Sequence, residues 1–381
     1  MEQWTSIWGY RPMNYEKFPL AVTQGNLQVR FLGNVTGKRV RLRLSNEFGN
    51  APMRIAGLWL ENSRGDSVPI TLCGHRCIVL APGETTYSDT VFFPAYAGEY
   101  LTITAHMEEN QKITTACSCF AQDAVQVWWN ENHQIPTELL NREPEHQCFF
   151  GFCRVDVETE NNVRTLVCFG DSITHRSLYT GPLTMALYKR YPGCVTLINC
   201  GVSGNRITGD ASSLSPYGAW FGQQATRRLE DDVFADTRVD AVSILLGIND
   251  IFHPLCGDAP REETRNAAVL KAGLTAMADT VHAHGAKVIG ATITPWKNCL
   301  GLFAKEPESV REETNRWIRT SSVFDAVWDF AGMIADPNDP LQLRPDCDSG
   351  DHIHPGPKGG AVMAQGIKLK QLAQLMGLEA E

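Results

Sequence analysis

Four short segments of this sequence hold residue types whose chemistry becomes useful only when they are combined. They are Phe169-Gly170-Asp171-Ser172-Ile173-Thr174, Asn199-Cys200-Gly201-Val202-Ser203-Gly204-Asn205, Leu246-Gly247-Ile248-Asn249-Asp250 and Gly350-Asp351-His352-Ile353-His354-Pro355. A serine hydroxyl is a weak nucleophile at neutral pH and needs a base within hydrogen-bond reach, itself oriented by a carboxylate. Ser172 offers the hydroxyl. Asp351 and His354 lie three apart, so a turn can put both side chains on one face, with Nδ1 toward Asp351 and Nε2 toward the serine. Gly204 offers a backbone N–H with no Cβ in the way, and Asn249 offers an amide N–H. Such donors, with the N–H of Ser172 itself, can hold the negative oxygen of a tetrahedral intermediate. The chemistry this set would support is attack on an acyl carbonyl.

Each position has a rival. His352 stands two residues from His354 and is the alternative base. Asp250 can replace Asn249 as the turn residue after its strand. Asp171 is expected to brace its loop by hydrogen bonds rather than to react. His253 has no partner at metal-ligand spacing and is read as a surface or pocket-wall histidine. Trp128-Trp129, Tyr217, Trp220-Phe221 and Trp296 can form an apolar or sugar-stacking wall, although core packing is the commoner fate of such rings. Tyr217, Trp220 and Trp296 follow strand ends, which makes them, with Asp171 and His253, candidate pocket residues. The twelve cysteines include only two close pairs, Cys73/Cys77 and Cys117/Cys119. Their spacing is not that of a two-knuckle zinc site, so they read as reduced thiols acting as small apolar residues. No metal and no organic cofactor is expected.

The elements that must position these residues change character near residue 160. Before it, Gln28–Leu32 and Arg39–Leu44 alternate polar and apolar residues, the period of a strand with one wet face. Cys77–Leu80, Thr90–Phe93 and Tyr100–Ala105 are further strands. Turn signals at Glu47–Asn50, Ser63–Asp66 and Ala81–Glu84 separate the runs, a spacing that predicts a β-sandwich. After it, apolar strands at Thr165–Phe169, Val195–Asn199, Asp240–Leu246, Lys287–Thr292 and Phe324–Asp329 alternate with helices at Gly181–Tyr191, Gly218–Phe234 and Glu262–His284. A final helix follows Pro357. That alternation predicts a five-stranded parallel sheet covered on both faces, a flavodoxin-like α/β/α domain. In such sheets, chemistry gathers at the carboxyl ends of the strands. The expected domains are 1–160 and 161–381, divided in the polar stretch Glu158–Asn162.

In order and spacing, the four segments resemble the blocks of the SGNH (GDSL-type) hydrolase family. Gly170-Asp171-Ser172 matches the first block, Gly204 the glycine of the second, Asn249 the asparagine of the third, and Asp351 with His354 the Asp-x-x-His of the last. The resemblance covers roughly residues 163–376. It implies a serine esterase with Ser172 as nucleophile, His354 and Asp351 as its partners, and Ser172 N–H, Gly204 N–H and Asn249 Nδ2 as oxyanion donors. Arg41–Gly49, Trp317–Ser321 and Asp348–His352 look like two-domain bacterial members, a resemblance that implies an N-terminal, jelly-roll-like β-sandwich domain. His175 departs from the acidic residue that many relatives carry after the first block. The G-x-S-x-G elbow of α/β-hydrolases is absent, since position 174 is Thr.

Composition bounds the remaining choices. The 381 residues carry a net charge of −9, which argues against nucleic-acid or anionic-membrane partners. The start, Met1–Trp8, lacks a basic then apolar leader, and no run of 18 apolar residues occurs, so a cytoplasmic chain without a membrane span is expected. The expected partner is a small-molecule or oligosaccharide ester, with acetylated carbohydrate favoured. Self-association into a homo-oligomer stays open. The alternatives are an acyltransferase using the same acyl-enzyme, a lysophospholipase-like lipid esterase and, last, a sugar-binding protein without catalysis.

Overall fold

In the N-terminal half, alternation becomes a two-sheet core. The computed structural model describes residues 3–108, 110–120, 122–129, 146–263 and 266–378. Along Gly25–Leu32 the side chains of Leu27, Val29 and Phe31 are fully buried, and along Tyr100–Met107 so are those of Leu101, Ile103, Ala105 and Met107. The two strands run antiparallel with Val29 opposite Ile103 and Phe31 opposite Leu101, so the buried sets share one face. Val125–Trp129, Gly57–Asn62 and Ser67–Ile70 complete this sheet. A second antiparallel sheet joins Gln3–Gly9, Gly151–Thr159 and Gly37–Ser45, the last paired with both Thr85–Tyr87 and Val91–Ala95. Trp8 of one sheet stacks on Phe31 of the other at 4.8 Å between ring centroids, and Phe149 and Phe152 extend the aromatic core. Burial of each such ring contributes about 1.5–3 kcal/mol. No helix occurs among the described residues before Ser172.

The second half is a five-stranded parallel sheet with helices around it. Its strands in chain order are Arg164–Gly170, Val195–Gly201, Ala241–Leu245, Lys287–Ala291 and Ala326–Trp328. Their order across the sheet is second, first, third, fourth, fifth. The middle strands are buried on both faces, which is why they read as continuous apolar runs. The order reverses at the first strand, and the crevice at such a reversal is where open α/β sheets hold their ligands.

Two expected helices differ. The one expected over Gly218–Phe234 is a short 3-10 turn, Gly218–Phe221, and a separate helix, Ala225–Phe234. The side chain of Asn205 donates to the carbonyls of Phe221 and Gln223, at 3.0 and 2.7 Å, where the 3-10 turn ends and before the second helix begins. The one expected over Glu262–His284 is a 3-10 turn, Arg261–Glu263, and a helix, Ala267–Ala283, whose Asn266 cap accepts from Val269 N; residues 264–265 lie outside the described residues.

Contacts divide the chain into two compact units, Met1–Thr165 with Thr184–Ile198, and Leu166–Leu183 with Asn199–Glu381. Within the first, Asn34 donates to the carbonyls of Tyr191 and Val195 and accepts from Gly193 N. Among the described residues no helix is long and apolar enough to cross a membrane.

Eight cysteines are buried, Cys117, Cys119, Cys148, Cys153, Cys168, Cys200, Cys299 and Cys347, whereas Cys73, Cys77 and Cys194 are exposed and depart from the apolar-filler reading. Burial pushes the Cys168 thiol up to about 12.

Candidate active site

Ser172 stands where the first strand ends and a single helical turn, Ser172–His175, begins. Asp171 caps that turn with Oδ1, which accepts from Ile173 N at 3.0 Å, as expected of a loop brace. The turn fixes the Ser172 hydroxyl at the carboxyl edge of the sheet. From the far end of the sequence comes a compact loop in which Asp351 Oδ1 accepts from the backbone N–H of Ile353 and of His354, at 3.1 and 2.9 Å. Its other oxygen lies 2.6 Å from His354 Nδ1, and His354 Nε2 lies 2.8 Å from Ser172 Oγ. The structure thus brings together three residues separated by up to 182 positions. His352 is turned away: its φ is +66°, and its Nδ1 meets Asp348 Oδ2 at 2.6 Å.

The electrostatics favour a charged Asp351. Burial opposes its charge, but the His354 hydrogen bond, the charge of His354 and the nearby Arg176 outweigh that and hold the carboxyl well below the usual range. Arg176 Nη1 lies 3.6 Å from Asp351 Oδ2, and its side chain is 7% exposed. Asp171 is the opposite case. Burial pushes its carboxyl up to about 7, against the Ile173 N–H and Arg228, with Asp250 adding to the rise. Its Oδ2 is buried without a hydrogen-bond partner.

Gly204 is buried with φ +70°, and a Cβ there would clash with the Phe221 ring, so only glycine fits the turn. Asn249 is the second residue of the helix Ile248–Cys256 beyond the third strand, and its Nδ2 donates to Asn205 O at 3.0 Å, leaving the second amide hydrogen for another acceptor. The rival Asp250 has a different task. Its carboxylate accepts from Ile207 N and Thr208 N and ties down the loop that follows Gly204.

The aromatic candidates divide. Half-buried Tyr217 packs on Trp220 and Phe221, with centroids 5.6 and 5.1 Å apart, and Trp220 meets the edge of His175. Trp296 requires correction as a pocket residue: it is fully buried between Phe252 and Phe303 and has no surface for a ligand. His253 is not a surface histidine either. It is 4% exposed and stacked on Phe221 at 4.7 Å, and burial and Arg206 push it down to about 3, so it is neutral at physiological pH. Trp128 is exposed and belongs to the first unit. Among the described residues no group of three or more His, Cys, Asp or Glu could hold a metal ion.

Three contributors escaped the sequence reading: Arg176, Asn205 and Arg228. Asn205 follows Gly204 directly, so its place in the block was a signal. The two arginines carried none, because their partners are distant in sequence.

A doubly wound sheet with a Ser–His–Asp chain at its carboxyl edge is the arrangement of a serine hydrolase. The sequence model of the GDSL-like Lipase/Acylhydrolase family matches residues 168–362, just over half of the chain, and the chain belongs to this family of carboxylic ester hydrolases. A comparison with curated protein sequences gives no match. Among solved structures, the chain is similar to an alpha/beta hydrolase enzyme from the metagenome of Lake Arreo, Spain, at 20% identity over 57% of this chain and 97% of that one, with a TM-score of 0.42. It is also similar to an acetyl xylan esterase from Geobacillus stearothermophilus, at 18% identity over 58% and 99%, TM-score 0.42. A GDSL-like lipase from Bacteroides thetaiotaomicron gives 19% identity over 55% and 89%, TM-score 0.38.

Proposed function

We propose that the chain hydrolyses small carboxylic esters through an acyl-enzyme on Ser172, with acetyl groups on carbohydrate as the favoured substrate class. The observation that carries this reading is the unbroken chain from Ser172 Oγ through His354 to Asp351, at 2.8 and 2.6 Å. His354 Nε2 takes the serine proton as Oγ attacks the carbonyl carbon, and Asp351 stabilises the imidazolium. The oxyanion rests against Ser172 N–H, Gly204 N–H and Asn249 Nδ2. His354 then protonates the departing alkoxide, and water, deprotonated by the same nitrogen, releases the acid. The side chains of His354 and Asp351 are 17% and 41% exposed, so the base that protonates the departing alcohol is reached from solvent. The alcohol half of the ester would therefore leave on the solvent side.

A second reading, an esterase of longer-chain or lipid esters, is favoured by Leu214, Leu300 and Phe303. These are exposed by 61%, 74% and 37% on loops that follow the second and fourth strands. One experiment separates the two: hydrolysis of p-nitrophenyl esters from acetate to octanoate by wild type and Ser172→Ala. Cleavage that depends on Ser172 and is fastest on acetate is expected. A preference rising with chain length would favour the lipid reading, and full activity in the Ser172→Ala variant would sink the mechanism.

A further inference from the structure

We propose that Arg228, which touches no reacting atom, is the positioning residue that sets the oxyanion donors against Ser172. This inference rests on the esterase reading above. Arg228 lies on the helix Ala225–Phe234 and is 5% exposed. Its Nη2 donates to Gly170 O at 2.8 Å, its Nη1 to Cys200 O at 3.0 Å and to Asp232 Oδ2 at 2.7 Å, and its Nε to Asn205 Oδ1 at 2.9 Å. The guanidinium carbon lies 3.9 Å from the centre of the Phe169 ring.

These acceptors are not scattered. Gly170 immediately precedes Asp171 and Ser172. Cys200 is the penultimate residue of the second strand, which leads into Gly204. Asn205 follows Gly204, and its carbonyl accepts from Asn249 Nδ2 at 3.0 Å. All three segments that bear the proposed donors are therefore tied, directly or through Asn205, to one planar group. Gly170 O joins two of them by itself, since it also accepts from Val202 N at 3.0 Å.

The residue type matters as much as its place. A guanidinium presents its donors in a rigid fork, so four acceptors bonded to it are fixed relative to one another; an ammonium is a rotatable point charge with three donors. Burying a charged pair such as Arg228 and Asp232 is also a poor route to stability compared with apolar packing. A role in registering the donors accounts for an arginine at this position where a hydrophobic side chain would serve the core.

The test uses the full chain with Arg228→Lys and Arg228→Met. The measurements are kcat and KM on p-nitrophenyl acetate per active site titrated, the thermal midpoint, and the affinity for a small alkylboronic acid, which adds to Ser172 Oγ as a tetrahedral anion. A displaced donor set should lower kcat about 100-fold, with KM changed less than about threefold, and boronate affinity should fall in parallel. A purely structural role would lower the thermal midpoint or the titratable fraction while leaving kcat per site and boronate affinity intact, and that result overturns the proposal. Should neither variant fold, Asn205→Ala is compared with Asn205→Asp, which keeps an acceptor for Arg228 Nε but loses the amide bonds to Phe221 and Gln223; a parallel loss of kcat per site and boronate affinity in the first alone supports the proposal, and an equal loss in both, or none in either, overturns it. Wild type that neither cleaves esters nor binds the boronate takes down both readings. Active wild type with unchanged variants takes down this one alone.

Discussion

Two histidines stand two residues apart in the last block, and the backbone between them assigns their partners. The left-handed φ at His352 sends its ring to Asp348, while His354 reaches Ser172. His352→Ala should leave kcat/KM within about threefold of wild type, the usual range for a surface change. His354→Ala should lower it by about 10⁴-fold or more, and Asp351→Asn by less than that. Steady-state rates on one ester suffice, and wild-type rates in both of the latter would end the assignment. The spacing of Asp351 and His354 was legible in the sequence because both act within one short loop. Arg228 was not, because its bonds reach a carbonyl 58 positions away. Asp171 offers a different test. Its carboxyl titrates near 7 in the fold and near 3.8 when unfolded, so between these values the native chain holds a proton that the unfolded chain has lost. The stability this provides is complete below about pH 4 and is lost as pH rises through about 7. Asn at 171 can still cap the turn. Asp171→Asn should therefore flatten this part of the thermal-midpoint profile between pH 4 and 8; an unchanged slope would show that Asp171 is not its source.

The elements were most legible where burial follows a simple period. The alternating strands of the N-terminal half and the apolar strands of the parallel sheet fell close to their expected bounds. Helices were missed where the buried face is polar or broken by proline. Lys305–Thr320 buries Glu308, Arg311, Thr314 and Asn315, with Arg311 bonded to Glu308 and Asn315 to the backbone of Ile293, so no apolar stripe marked it. Ile248–Cys256 contains Pro254, a residue that argues against a helix because it removes a backbone donor and crowds the preceding turn. The turn at Gly204 gives the prediction proper to this scale. Gly204→Ala forces a side chain into a left-handed backbone, at about 1–3 kcal/mol, and into the Phe221 ring. Both kcat and stability should drop. Adding Phe221→Ala should restore part of the stability lost to the clash and none of that lost to the backbone, as a double-mutant cycle of melting curves would show. Simple additivity would mean that the ring yields freely.

For the molecule as a whole, the sequence marked a change of character near residue 160, and the compact units divide the chain less simply, since Thr184–Ile198 groups with the first. A fragment beginning at residue 161 would lose the three hydrogen bonds that Asn34 makes to Tyr191, Gly193 and Val195. We expect residues 161–381 expressed alone to melt at a lower temperature than the full chain, by several degrees for a loss of 1–2 kcal/mol, on the order expected for a domain of this size. Equal melting temperatures would mean that water replaces Asn34 without cost. The docking of the helix Ala225–Phe234 bears on another matter, the order in which a newly made chain acquires its properties. A chain whose strands have paired but whose helix has not settled lacks the guanidinium that gathers Gly170, Cys200 and Asn205. Such a species would be compact and yet inert toward esters, so during refolding the return of hydrolysis should lag behind the return of secondary structure. Catalytic competence would then report completed assembly, and half-folded molecules would not cleave esters indiscriminately.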